Sequence, residues 1–184
     1  MRIGEVKKSF RKDESGAALL EMSVVFPVLL TISLGVIEFG NAIYSQHAIF
    51  NGVRDAARYV AGLAQFDSAG NLVDSTVDTK AKNIAVWGTT TNTTADTCIT
   101  ASTTAMKLSR RVSWWCNASN VAISYTPTTN DNGAGVKLYR GGAKIWTVTV
   151  TATVPYQQLG FLSYLGLIAP TLNVSHTERV YGVR

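Results

Sequence analysis

The chain has 184 residues, 16% of them charged, a formal net charge of +5 and two cysteines. That length accommodates one compact domain plus an appendage, and the low charge set against many Thr, Ser and Asn suits an extracytoplasmic, strand-rich protein. The basic balance does not mark a nucleic-acid binder: beyond residue 16 the basic side chains are scattered, with Arg110-Arg111 the sole adjacent pair.

Residues 1–16 form a basic leader, with Arg2, Lys7, Lys8, Arg11 and Lys12 against Glu5, Asp13 and Glu14. Such a flank stays cytoplasmic when an apolar segment follows. One does follow: residues 22–37 carry no charge, and Glu21 and Glu38 bracket them. A transmembrane helix needs roughly 20 apolar residues. Residues 17–44 supply that length only by including both carboxylates. Ionisable groups are expensive in lipid and are retained where they have a partner or a function. Pro27 removes one helical hydrogen bond and permits a kink. Gly40-Asn41-Ala42 imitates a secretory cleavage site, but Glu38 stands in its flank and helical periodicity runs through it.

The periodicity continues. Ile43, Phe50, Ala57 and Ala64 recur every seven residues, and Ile49, Val53, Ala56, Val60 and Leu63 fill the same stripe. Asn51, Arg54, Asp55 and Arg58 take the other side. This predicts one helix over 18–63, transmembrane in its first half and amphipathic in its second, where it packs under a head.

Residues 65–73 read as a polar loop. Asp74-Ser75-Thr76 can cap a short helix over 77–87, and Gly88 can stop it. Residues 89–104 are Thr/Asn-rich and loop-like. Strand signals then dominate: 111–117, 121–125 ended by Pro127, 144–156 and 171–181. Residues 128–135 have turn chemistry. Over 144–156, Ile145 and Thr147, Thr149, Thr151 and Thr153 alternate with Trp146, Val148, Val150, Ala152 and Val154. The Trp/Val face is expected against the long helix. Residues 158–170 contain no charge and are too short to span a bilayer. They read as a cover over one end of the sheet, the alternative being an exposed patch for a partner or the membrane surface. A helix followed by an antiparallel sheet is an α+β fold.

Cys98 and Cys116 suit one disulfide in an exported domain, closing a loop worth roughly 3 kcal/mol. Two independent buried thiols are the alternative. No metal-ligand spacing accompanies them or His47 and His176, and no cofactor is indicated. Nucleophile-elbow, phosphate-loop and metalloprotease patterns are absent, so the chain is expected not to be an enzyme. Trp114-Trp115 point to opposite sides of any strand, one toward the core and one toward the surface.

Four segments resemble the TadE family, the pilin-like proteins of the tight-adherence branch of type IV pilus machinery. They are Gly16-Ala17-Ala18-Leu19-Leu20-Glu21, Phe26-Pro27-Val28-Leu29-Leu30, Gly35-Val36-Ile37-Glu38-Phe39-Gly40 and Arg54-Asp55-Ala56-Ala57-Arg58-Tyr59. The resemblance spans about 10–62. It implies cleavage by a prepilin peptidase between Gly16 and Ala17, with Glu21 as the fifth mature residue. Glu21 is then expected to neutralise the free amine of Ala17 on a neighbouring subunit, setting register more than adding stability. Glu38 and Pro27 are expected intramembrane contacts. Major pilins of this branch favour Tyr after that glutamate; Met22 stands here and favours a minor pilin or pseudopilin.

The implied organisation is a cleaved cytoplasmic leader (1–16), a long helix (17–64) and an extracytoplasmic α+β head (65–184). The implied role is non-enzymatic, in pilus assembly supporting adhesion or secretion. Implied partners are the prepilin peptidase, other pilin or pseudopilin subunits, the inner-membrane assembly platform and membrane lipid, with no nucleic acid. The implied location is the bacterial inner membrane, single-pass, with the C-terminal domain periplasmic or carried into the pilus. The alternative is a membrane-anchored periplasmic binding module without a pilus role.

Overall fold

The computed structural model describes residues 14–67, 70–91, 111–112, 114–139 and 142–181. Four helical pieces and three strands occur among them. They are α1 (Glu14–Leu63), α2 (Thr76–Trp87), a 3-10 turn (Ala118–Asn120), β1 (Val121–Thr129), β2 (Lys144–Pro155), α3 (Phe161–Tyr164) and β3 (Thr171–Arg179). The layout is α+β: one long N-terminal helix, then a three-stranded antiparallel sheet of order β1-β2-β3. The chain divides into two compact units. One holds the chain up to Asn41 together with Gln158–Leu167; the other holds Ala42–Gln157 and Ile168–Arg184.

In the first unit, α1 is apolar on every side and nothing covers most of it. Leu19, Leu20, Met22, Val24, Phe26, Val28, Ile32, Val36 and Phe39 are all exposed. A helix of that character requires lipid or other helices around it. It is long and apolar enough to cross a membrane. From residue 17 to 37 it rises about 30 Å, the thickness of a hydrocarbon core. Its hydroxyls are satisfied locally: Ser23 donates to the Leu20 carbonyl, Thr31 to Pro27 and Ser33 to Leu29, at 2.7–2.8 Å.

In the second unit, the same helix becomes one-sided. Ile49, Val53, Ala56, Ala57, Val60, Ala61 and Ala64 are fully buried. The stripe is centred differently from the sequence expectation: Ile43, Phe50 and Leu63 remain on its exposed margins. On β3, residues 172, 174, 176 and 178 share a face. His176 meets the Phe50 ring edge-on at 5.9 Å and Glu178 lies 3.7 Å from Arg58, so that face looks toward α1. The register puts Val148, Val150, Ala152 and Val154 on the same face, all buried, as the alternation predicts. The threonines of β2 form the outer face, where Thr149 and Thr177 pair across the strands at 2.9 Å.

The small helix α2 starts as expected, with the Thr76 amide donating to the Asp74 carboxylate, and stops at Gly88 in a left-handed conformation. It approaches α1 backbone to backbone at Gly52, where an added Cβ would fall 2.3 Å from the Ala85 carbonyl oxygen. Arg111 ties the pair, bonding the Ile84 carbonyl and Asp55.

Three expectations are corrected. The described part of 111–117 is not a strand: Trp115 donates its amide to Val112 and its indole N–H to Asn117, whose side chain accepts from Ser119. These local bonds replace a ladder. β1 runs beyond Pro127 to Thr129, because it is an edge strand and a missing N–H on its open side costs no ladder bond. Residues 158–170 are largely exposed, not buried as a sheet cover would be. Leu159, Tyr164, Leu165, Leu167 and Ile168 are exposed, and 158–167 belong to the unit of the membrane-type helix.

Candidate functional site

The junction predicted from sequence lies in the first turns of α1. Gly16, Ala17 and Glu21 are all exposed. A Cβ added at Gly16 would meet nothing within 4 Å, so no packing within the fold requires glycine there. Glycine inside a helix costs roughly 0.5–1 kcal/mol relative to alanine. The fold itself therefore gives no reason for this glycine.

Glu21 and Glu38 do not meet. Seventeen residues of helix hold them about 25 Å apart. Glu38 is instead buried at 3% exposure, and both its carboxylate oxygens accept from the Leu159 amide, at 2.9 and 3.2 Å. Pro27 and Glu38 do share a site. Together with Leu34, Leu159, Phe161 and Tyr164 they line a cavity of about 440 Å³ along one stripe of α1. The Phe161 ring crosses Gly35, 3.6 Å from where a Cβ would stand. Sequence reasoning singled out Glu38 as a residue in need of a partner and did not anticipate Leu159. The available signal was the charge-free run over 158–170.

The head has polar contacts of a structural kind. The Tyr125 hydroxyl donates to the Asp78 carboxylate; burial first, then that bond, pushes the phenol's pKa up. Phe66 stacks on Trp146 at 4.0 Å and meets Tyr125 edge-on. His176 Nε2 lies 2.9 Å from Glu178. The bond to His176 is the main cause that holds the Glu178 carboxyl below its usual range, with Arg58 adding to it and burial opposing. His47 sits on an exposed part of α1. No group of three metal-ligating side chains forms among the described residues. Trp115 is in the core, and Trp114 packs edge-on to Tyr156. Cys116 is buried and disulfide-bonded. Cys98 lies outside the described residues.

An exposed glycine with no packing role thus opens an uncovered apolar helix that continues into an amphipathic one. Residues 16–58 match the family model of TadE-like proteins. The TadE-like match begins on Gly16 and ends on Arg58, so it takes in Glu21, Pro27, Glu38 and most of the buried stripe, all within α1. It points to involvement in tight-adherence pilus assembly. No curated protein and no solved structure matches the chain.

Proposed function

We propose that this chain is a minor pilin or pseudopilin of a tight-adherence pilus system, anchored in the bacterial inner membrane by the first half of α1. In this reading residues 1–16 are cytoplasmic and removed by a prepilin peptidase, and the head faces the periplasm. Glu21 then neutralises the new α-amine of a neighbouring subunit at Ala17. The role is one of association, with the assembly platform and other subunits as partners, and is non-enzymatic. The observation that carries the reading is the family match that starts on Gly16, a glycine the fold does not need. Cys98 is proposed as the partner of Cys116, checked by intact mass after alkylation with and without reductant.

The test is the mature N-terminus. Co-expression with an active prepilin peptidase should give a chain starting at Ala17, and Gly16→Glu should leave the leader attached. An intact Met1 start, under a peptidase that cleaves a control substrate, overturns the processing claim and favours the membrane-anchored binding module.

A further inference from the structure

Residues 158–167 join β2 to β3, yet they pack in the same unit as the membrane-type stretch of α1. The Leu159 amide is held by Glu38 and the Phe161 ring lies over Gly35. Tyr164 reaches the cavity that extends along the helix to Pro27. Eleven helical residues separate Glu38 from Pro27, a rise of about 16 Å. The loop therefore runs beside the helix at the level of its uncharged core, not beyond its end.

Two features of the loop are unusual for a water-exposed connection. Its side chains are apolar and outward: Leu159, Tyr164, Leu165 and Leu167 are 48–86% exposed, and no charge occurs between 157 and 170. The C-terminal half of its backbone is also closed on itself. The amides of Tyr164, Leu165, Gly166 and Leu167 donate to Gly160, Phe161, Ser163 and Leu162 at 2.8–3.1 Å. The Leu159 amide goes to a carboxylate. In water such closure is unnecessary; in hydrocarbon each unpaired amide costs several kcal/mol.

We infer that residues 159–167 form a second membrane contact, a wedge that inserts into the lipid leaflet beside the helix, with Glu38 as its latch. Lipid is the occupant because the wedge is continuous with the face of α1 that already requires lipid. The latch explains how a carboxylate is kept at this depth: Glu38 is turned from lipid onto a peptide N–H. The inference rests on the anchor reading of α1 but not on peptidase processing.

The experiment uses the full chain in vesicles of phosphatidylethanolamine and phosphatidylglycerol at 3:1, at about one protein per vesicle. Single variants Leu165→Cys, Leu167→Cys, Ile32→Cys and Val136→Cys carry an environment-sensitive fluorophore, and the unsubstituted protein sets the labelling background. Ile32 reports the anchor and Val136 an exposed loop of the head. The expected result is that labels at Leu165 and Leu167 are quenched by nitroxide lipids as the Ile32 label is. Aqueous iodide should quench them several-fold less than Val136. Iodide quenching equal to Val136, with Ile32 protected, overturns the wedge and leaves the anchor standing. Iodide access at Ile32 as well overturns both. Protection that arises only at high protein-to-lipid ratio assigns the face to a second copy and overturns the lipid contact.

Discussion

Glu178 is held between two groups that make its charge useful to the fold. His176 lies on the same strand face two residues before it, and Arg58 reaches it from α1. Its pKa is lowered on folding, chiefly by the bond to His176. The unfolded carboxyl titrates near about 4.3. A lowered folded value means that the contribution is present above that pH and is lost as pH falls through the folded value. The site is partly exposed, so the effect is at most about 1 kcal/mol. Glu178→Gln should weaken the protein at pH 6 and erase part of the difference in urea midpoint between pH 6 and pH 3. An unchanged difference removes Glu178 from the acid response. None of this was legible from the sequence. His176 and Glu178 read as an ordinary strand end, and Arg58 belongs to an element more than a hundred residues earlier.

Glycines of α1 separate two kinds of helix surface. Gly52 and Gly40 are indistinguishable as letters, each set within helical periodicity. At Gly52 a Cβ would collide with the Ala85 carbonyl; at Gly40 it would meet nothing within 4 Å. Alanine improves helix propensity by up to about 1 kcal/mol at either position. Gly52→Ala nonetheless should destabilise the head by about 1–3 kcal/mol, because carbonyl backbone has to move. Gly40→Ala should be neutral or mildly stabilising. Chemical denaturation followed by tryptophan fluorescence distinguishes them, and an unshifted midpoint for Gly52→Ala rules out the close helix approach. The elements themselves were largely readable. The alternation over 144–156 specified β2 and its buried face, and Asp74 and Gly88 bounded α2. What failed were stretches whose backbone bonds go to nearby side chains, as around Asn117, and a strand whose proline is harmless only at an edge. Sheet position is not written in a local pattern.

Across the whole molecule, the division into two units falls within one helix, between an exposed apolar part and a part with one buried face. Residues 14–41 of α1 fall in the first unit and its remaining residues in the second. Family resemblance and apolar length made the first part legible, whereas Glu38's bond to Leu159 spans 121 positions and only folding in three dimensions shows it. All four tryptophans, at 87, 114, 115 and 146, belong to the second unit, with Trp87 and Trp115 buried at 4% and 2% exposure. Tryptophan emission therefore reports on the head alone. In lipid, a spanning helix keeps every backbone bond because hydrocarbon offers no alternative partner, and denaturant in the aqueous phase does not change that. The full chain in vesicles should lose native tryptophan emission in one cooperative step. About half of the helical signal of α1 should survive that step, since the spanning half keeps its backbone bonds. Far-ultraviolet circular dichroism recorded on the same samples measures the remainder. A helical signal that vanishes together with the tryptophan transition would mean that α1 melts as one cooperative element with the head and that its first half is not held by the bilayer.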